Sequence, residues 1–367
     1  MPVGGLLRRA GALAIVIVVV SGCSSSTATP TAAQTAAGSI APSAAQTAAG
    51  SIAPSAGAKV YKFAAVQVVV TPWYNSWPQA MQDVSNDFSI PVPLIGAPQT
   101  FDQTQQNNVI DGLVGRSVNG IAMQPVDAVA GNETIKRLVS QGIFVVGTGG
   151  CSQTMGAGAA FCFMSDTENE AYTATTQLIN AMGGKGTIVH LAGQTADVAT
   201  PLRIAGVNKA VSEHTGITLL QTLTDIDTAQ AAQSAVSNLL SAKASQIDGI
   251  VSTAGNPSIA WAAVATQRKE TRIKSVLIDD DSSVLAAISA GYVTGTMAAA
   301  AYMQVYIAMH SLKLLVDGCT WKDPSKQIVD APYLWTDKSN VATLEAVQVA
   351  RTKTMDSTWQ ATYWNCP

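Results

Sequence analysis

Two segments of the chain carry side chains suited to holding a small polar molecule. Trp73, Tyr74 and Asn75 follow an apolar run, and they combine flat rings with hydrogen-bonding groups. An aromatic ring offers an apolar surface to the C–H face of a ring-shaped molecule such as a sugar. Asp279 ends a second apolar run, 275–278, and a carboxylate accepts several hydrogen bonds at once. These residues predict a binding site.

Asp279 has two rival interpretations. It could cap the helix that follows, although Asp281 or Ser282 fills that position better. It could also join Asp280 and Asp281 in a metal site. Because adjacent residues at a strand end point in alternating directions, we do not expect three carboxylates to converge there. The sequence predicts no metal and no cofactor.

Catalysis and nucleic-acid binding are not expected. The three histidines lie on strand or helix patterns, and no glycine-flanked serine elbow accompanies them. The GGKGT segment at 183–187 lacks the glycine that a phosphate loop needs five residues before its lysine. Only 12% of residues are charged, the net charge is -3, and Lys and Arg are scattered. We therefore predict a protein that is not an enzyme and has no nucleic-acid partner.

The N-terminus has the pattern of an export signal. Arg8 and Arg9 precede an apolar run over 10–20, which is short for a membrane span. The run leads through Val20, Ser and Gly to Cys23, and this resembles the cleavage box of bacterial lipoproteins. We predict a signal peptide over 1–23 and a lipidated Cys23, so that the protein is lipid-anchored outside the cytoplasmic membrane. The alternative is an ordinary signal peptide with a bystander cysteine.

A tether separates this signal from the body of the protein. Residues 24–57 are almost only small and polar, with no charged and no aromatic side chain, and the block AQTAAGSIAPSA occurs at 33–44 and again at 45–56. Such a segment cannot bury a core. Flexible-chain scaling gives it a reach on the order of 30 Å. The body, 58–367, is long enough for two lobes.

Four further cysteines predict two disulfides. Their number is even, and the export signal places them in an oxidising compartment. The simplest pairing is Cys151 with Cys162 and Cys319 with Cys366. Zinc is the rival interpretation, but no pair has metal spacing and the histidines are far apart in sequence.

The body alternates short apolar strands with amphipathic helices, which predicts an α/β fold of two doubly wound, parallel-sheet lobes. The predicted strands are 60–70, 92–95, 120–123, 144–146, 187–191, 217–223, 249–252, 275–278 and 294–297. The rhythm breaks at a glycine-rich stretch near 150 and again near 300. We predict a first lobe of 58–150 plus about 300–330, and a second lobe of about 151–299 plus about 331–367 with a C-terminal tail, joined by a hinge of several strands.

Six segments, in this order, resemble the type I periplasmic binding proteins, in particular the ribose-binding-like group that serves ABC importers of simple sugars. They are TPWYNSW, GIAMQPVDA, IFVVGTGG, FMSDTENEA, GNPSIAWAA and VLIDDDSSVLAAISAG. The resemblance implies two lobes that close on one ligand, a membrane permease as partner, and a monomer. It places Trp73 and Tyr74 where the family sets an aromatic pair against the sugar. A sensory module for a receptor kinase or a chemoreceptor is the alternative.

The same resemblance assigns further site residues. Asp279 matches the family's aspartate that accepts hydrogen bonds from ligand hydroxyls. Asn256 lies where the family has an Asn-Asp pair, and it either contacts ligand or caps a helix. Arg203 matches the second of two family arginines, while Pro201 replaces the first. Gly150 lies at the first crossing, where an Asp-Arg pair is usual.

These departures predict a cleft with fewer charged groups than a typical sugar binder has. A glutamine usual near the second crossing is replaced by Ala299 or Ala300. We therefore expect the ligand to be sugar-like but less rich in hydroxyls, such as a polyol, a nucleoside-like compound or a signalling molecule.

Overall fold

The computed structural model describes residues 59–127, 129–151 and 158–367. The predicted signal peptide, Cys23 and the tether lie outside these residues. Within the described part of the chain, no helix combines the length and the apolar character needed to cross a membrane.

The first lobe is built on a six-stranded parallel sheet in the order β2-β1-β3-β4-β5-β12. Every strand but the two edge strands is buried on both sides, which explains the continuous apolar runs in the sequence. The strands are β1 (Phe63–Val66), β2 (Leu94–Gly96), β3 (Gly120–Met123), β4 (Phe144–Thr148), β5 (Cys162–Met164) and β12 (Ile328–Asp330).

The second lobe repeats this plan in the order β7-β6-β8-β9-β10-β13, with only β13 antiparallel. Its strands are β6 (Gly186–Leu191), β7 (Ile217–Leu223), β8 (Gly249–Ser252), β9 (Lys274–Ile278), β10 (Gly295–Ala298) and β13 (Leu334–Asp337). All nine strands predicted from the sequence are present, and the prediction of two doubly wound lobes is confirmed.

Helices cover both faces of each sheet. They are α1 (Trp77–Phe88), α2 (Gln103–Val114), α3 (Ala130–Ser140), α4 (Thr167–Ala181), α5 (Ala199–Ser212), α6 (Ala229–Lys243), α7 (Gly255–Arg268), α8 (Ser282–Ala290), α9 (Ala301–Val316) and α10 (Leu344–Tyr363). Side-chain caps begin several of them: Asp102 accepts from the backbone of Gln105 at 2.7 Å, and Asp166 from that of Asn169 at 3.0 Å. Four apolar clusters, two per lobe, fill the space between helices and sheets.

The lobe boundaries differ from the predicted ones. The strand β5 pairs with β4 in the first sheet, so the chain leaves that lobe after Met164 and not near residue 150. It returns after β10, and it crosses again between β12 and β13. Gly149 and Gly150 come between β4 and β5, which are neighbours in the first sheet, so they do not mark a crossing. The sequence did not reveal β5, because a strand of three residues is too short to show a periodicity.

The C-terminal segment also packs differently from the prediction. A 3-10 turn over Val341–Thr343 contacts α8 of the second lobe. The helix α10 follows this turn and ends in the first-lobe core, where Trp359 is fully buried and donates to Ser311 Oγ at 2.8 Å. A two-stranded ribbon of β11 (Thr320–Trp321) and β14 (Trp364–Asn365) holds its end. Both expected disulfides are present, Cys151–Cys162 and Cys319–Cys366.

Candidate functional site

The main candidate site is a cavity between the two lobes. In each sheet the strand order reverses direction, beside β1 in the first lobe and beside β6 in the second. Open α/β sheets bind ligands at such switch points, beyond the carboxyl ends of the strands. The cavity, counted together with the solvent space open to it, holds about 680 Å³ of empty space. It is lined by Val68, Val69, Thr71, Trp73, Tyr74, Phe101, Gln124, Gly149, Ser165, Thr167, Glu170, Asp197, Ala199, Arg203, Asp227, Gly255, Asp279, Ala299 and Gln304.

The first-lobe wall is aromatic. A 3-10 turn over Pro72–Tyr74 follows β1 and presents Trp73, whose ring centroid lies 4.7 Å from that of Tyr74 in an edge-on arrangement. Phe101, in the loop after β2, lines the same cavity. Trp77 packs against Tyr74, with 4.6 Å between their ring centroids, and is fully buried. Trp73 is therefore the ring that remains available to a ligand, while Trp77 belongs to the core.

The hydroxyl of Tyr74 is engaged within the protein. It accepts from the backbone N–H of Val68 at 3.2 Å and donates to Gln124 Oε1 at 3.2 Å. Burial raises the pKa of Tyr74 well above its usual value, so this hydroxyl keeps its proton. Because Gln124 turns its oxygen to Tyr74, the amide nitrogen of Gln124 is its remaining group, and it is a donor.

A buried ion pair forms the floor on the second-lobe side. Arg203 Nη2 lies 3.4 Å from Glu170 Oε2, and the Glu170 side chain is only 2% exposed. The helices α4 and α5 that carry them pack closely, since a Cβ at Gly206 would lie 2.1 Å from the Glu168 carbonyl oxygen. Burial raises the pKa of Glu170, and Arg203 opposes that shift. Burial would lower the pKa of Arg203, but neighbouring carboxyls, Glu170 foremost, raise it.

Asn256 holds a carboxylate in place. Its backbone N–H and its Nδ2 donate to Asp227 Oδ1 at 3.0 and 3.1 Å, so Asp227 satisfies a donor in the first turn of α7. Asp227 lines the cavity and Asn256 does not. Asn256 therefore orients Asp227, which lies in the loop after β7, and does not itself line the cavity.

Asp279 is the most constrained residue of the site. It is 5% exposed and takes a φ of 72°, in the left-handed region that a non-glycine residue occupies at some cost. A Cβ at Gly255 would lie 2.9 Å from Asp279 Oδ2, so the glycine makes room for this carboxyl. Burial raises the pKa of Asp279 well above its usual value, while Arg203 opposes the shift.

Gln304 brings an amide to the cavity from the first turn of α9. Its Nε2 lies 3.3 Å from Ser165 Oγ, and Ser165 gives its own hydroxyl proton to the Ala331 carbonyl at 2.7 Å. Ser165 can then only accept from Gln304, so the Gln304 oxygen is its free group. This chain of bonds ties the first crossing to the third. The sequence suggested that alanine replaces a glutamine at Ala299 or Ala300, and the structure has Gln304 in the cavity lining four residues after Ala300.

The structure brings together some of the predicted site residues and not others. Trp73, Tyr74, Arg203 and Asp279 line the cavity. Asn75 is exposed and lies outside it. Gly150 is buried and also lies outside it, next to Gly149, which does line the cavity.

Sequence reasoning missed five amide and acidic residues of the lining. Two signals pointed to some of them: Gln124 directly follows β3, and Asp227 lies in the loop after β7. Glu170 looked like an acidic residue placed for the helix dipole in the first turn of α4. The missed residues are Gln124, Glu170, Asp197, Asp227 and Gln304.

The prediction of a weakly charged cleft is wrong. Four carboxyl groups and one guanidinium line the cavity, because residues from α4 and from the loops after β6 and β7 converge there. The reason for expecting few ligand hydroxyls therefore fails. Among the described residues, no group of three or more His, Cys, Asp and Glu side chains is arranged to hold a metal ion.

Comparisons with known proteins agree with this architecture. A solute-binding protein of an ABC transporter from Burkholderia graminis, solved with D-arabinose, is 21% identical with a TM-score of 0.69, over 78% of this chain and 98% of that chain. One from Agrobacterium vitis, bound to alpha-D-tagatopyranose, is 18% identical with a TM-score of 0.69, over 78% and 98%. A periplasmic ribose ABC transporter protein from Conexibacter woesei is 20% identical with a TM-score of 0.66, over 81% and 99%.

These identities show a shared fold. Membership follows from the family model described as a periplasmic binding protein domain, which matches residues 64–320, from β1 to the start of β11. The chain therefore belongs to the periplasmic binding protein family, and its two lobes have the type I fold.

Proposed function

We propose that this chain is the extracytoplasmic solute-binding protein of an ABC importer and that it captures a sugar-like molecule in the interlobe cavity. The observation that carries the proposal is a set of buried polar atoms in the cavity lining that have no hydrogen-bond partner among the described residues. They are Thr167 Oγ1, Arg203 Nε, Asp279 Oδ1 and Gln304 Oε1. Buried polar atoms are usually satisfied, so such a cluster suits a polyhydroxylated ligand.

The chemistry of the lining supports a sugar-like ligand. A ring such as Trp73 covers a C–H face, and carboxylates such as Asp279 accept from hydroxyls. The structural neighbours that were solved with a ligand hold D-arabinose, tagatopyranose and D-allose.

The mechanism we propose is closure of the lobes about their hinge. Trp73 and Gln124 belong to the first lobe, and Arg203 and Asp279 to the second. A ligand that contacts both sets stabilises the closed arrangement more than the open one, and that difference shifts the population. The closed protein would dock on a permease as a monomer, kept near the membrane by Cys23 and the tether.

The test is direct identification of the ligand. The full chain is purified from its native host and denatured, and the released small molecules are analysed by mass spectrometry, followed by calorimetric titration with D-arabinose, D-ribose and D-allose. We expect one stoichiometric, chemically unchanged sugar-like compound, and at least tenfold weaker binding of it by Asp279→Ala. A cavity that releases nothing and binds none of a broad sugar panel would refute the proposal.

A further inference from the structure

Acidic side chains outnumber basic ones in the described lining of the cavity. Its four carboxyls belong to Glu170, Asp197, Asp227 and Asp279, and Arg203 is the only basic side chain that the described residues contribute to the lining. Within the described residues, Glu170 is the only one of these carboxyls in an ion pair, and its cation is Arg203. The other three acidic side chains of the lining form no ion pair among the described residues.

These carboxyls act on the same small space. All four raise the pKa of Arg203 through their charges, against the effect of its burial. The carboxyls of Glu170 and Asp227 also raise the pKa of Asp279, after burial, which has the largest effect. Buried carboxylates that interact disfavour one another's charged forms. The attraction of a cation bound among them offsets both this repulsion and the cost of burying their charges.

The unpartnered buried groups add a second, independent observation. Asp279 Oδ1 and Gln304 Oε1 are both acceptors, and their residues are 5% and 2% exposed. The bond between Ser165 and Ala331 fixes the orientation of Gln304, so its oxygen is the group left for a ligand. Two buried acceptors without donors call for a group that donates several hydrogen bonds, which an ammonium does.

The opposite wall is compatible with a cation. Trp73 and Phe101 line it from the first lobe, and aromatic rings attract cations within about 6 Å of their centroids. No basic side chain of the first lobe lines the cavity among the described residues.

From this geometry we infer that the ligand is a sugar-like molecule carrying a protonated amine, and that Asp279 and Gln304 receive the ammonium while Trp73 covers the adjacent C–H face. The inference rests on the proposed function of this cavity, and it narrows the ligand class to amino sugars and their close relatives. A neutral sugar would leave the charge excess in place, so the site discriminates by charge as well as by shape.

The test compares matched pairs of probes on the full chain by calorimetry at neutral pH. The pairs are D-glucosamine with D-glucose, D-galactosamine with D-galactose, and D-mannosamine with D-mannose, and the N-acetylated forms serve as uncharged nitrogen controls. We expect at least one amine to bind ten- to a hundredfold more tightly than its hydroxyl counterpart. N-acetylation should abolish that preference.

Two variants test whether Asp279 is the source of the preference for the amine. Asp279→Asn keeps the side-chain shape and removes the charge, and it should reduce the preference for the amine by about tenfold. Glu345→Gln makes the same charge change on the exposed face of α10, outside the cavity, and should leave the preference unchanged. If Asp279→Asn does not fold, the comparison of amine with N-acetyl form on the wild-type chain still decides.

The outcomes separate this inference from the proposed function. Equal or tighter binding of the neutral sugar in every pair overturns the amine inference and leaves a sugar-binding protein. An absence of binding for every probe overturns the inference, and together with no ligand released from the native protein it overturns the proposed function as well.

Discussion

The Cys319–Cys366 disulfide should contribute more to stability than the Cys151–Cys162 disulfide does. The first closes a loop with a sequence separation of 47 and the second one of 11. If a disulfide acts by limiting the freedom of the unfolded chain, these loops correspond to about 4 and about 2.8 kcal/mol. The difference, about 1.3 kcal/mol, depends only on the ratio of the two loop lengths.

The assay uses two variants, each retaining one disulfide, with alanine at both cysteines of the other. Each variant is unfolded in urea in its oxidised form and again after reduction, so the two forms being compared share one sequence. The free energy of unfolding comes from linear extrapolation, and tryptophan fluorescence and far-ultraviolet circular dichroism must give coincident transitions. This design removes the effect of placing a new side chain at Cys162, which is fully buried.

We expect reduction to cost more in the variant that keeps Cys319–Cys366. That disulfide also secures the end of α10, whose Trp359 is fully buried in the first-lobe core. An equal or larger loss in the variant that keeps Cys151–Cys162 would refute the reasoning from loop length, and it would mean that native-state contacts around the short loop control the effect.

Three further predictions concern the cavity. Trp73→Ala should weaken ligand binding by about tenfold in calorimetry, with little change in the free energy of unfolding. Trp77→Ala should lower the free energy of unfolding in urea by about 3–5 kcal/mol, because Trp77 is fully buried. Equal losses of stability in the two variants would contradict this prediction. Burial raises the pKa of Asp279, so the folded chain binds more protons than the unfolded chain and loses stability as pH rises from the usual aspartate pKa to the raised one. Asp279→Asn should therefore have a higher melting temperature than the wild type at neutral pH, and this difference should disappear below about pH 4. A difference in melting temperature that does not depend on pH would argue against a raised pKa at Asp279. Arg203→Leu should lower the free energy of unfolding in urea by about 3–5 kcal/mol, because it leaves Glu170 buried without its cation. Adding Glu170→Gln to this variant should restore most of the lost stability. If it restores none, the two side chains are not coupled.

The strands and helices were predictable because their signals are local. The predicted strands 120–123 and 249–252 coincide with the buried strands β3 and β8, since strands buried in a parallel sheet are continuous apolar runs between turn residues. The caps at Asp102 and Asp166 are local features of the same kind, because each side chain bonds to a backbone N–H only three residues along the chain.

The lobe boundary was not predictable by the same means. The strand β5 has three residues, and it belongs to the first sheet because it pairs with β4 and β12. Strand pairing joins residues far apart in sequence, and a short strand takes its stability from those neighbours. The C-terminal half of α10 was placed in the second lobe for a similar reason, since its burial depends on the first-lobe core that receives Trp359.

The site likewise has features that the sequence predicted and features that depend on the tertiary structure. The sequence alone identified an aromatic turn after β1 and an aspartate after β9, because ligand groups follow the carboxyl ends of strands and the sequence shows where strands end. Only the tertiary structure brought Glu170 and Asp227 to the same cavity as Asp279 and left them with Arg203 as the sole basic side chain in the lining. The charge of a cleft is a sum over residues that folding brings together, and hydrophobic periodicity, which is local, carries no information about that sum.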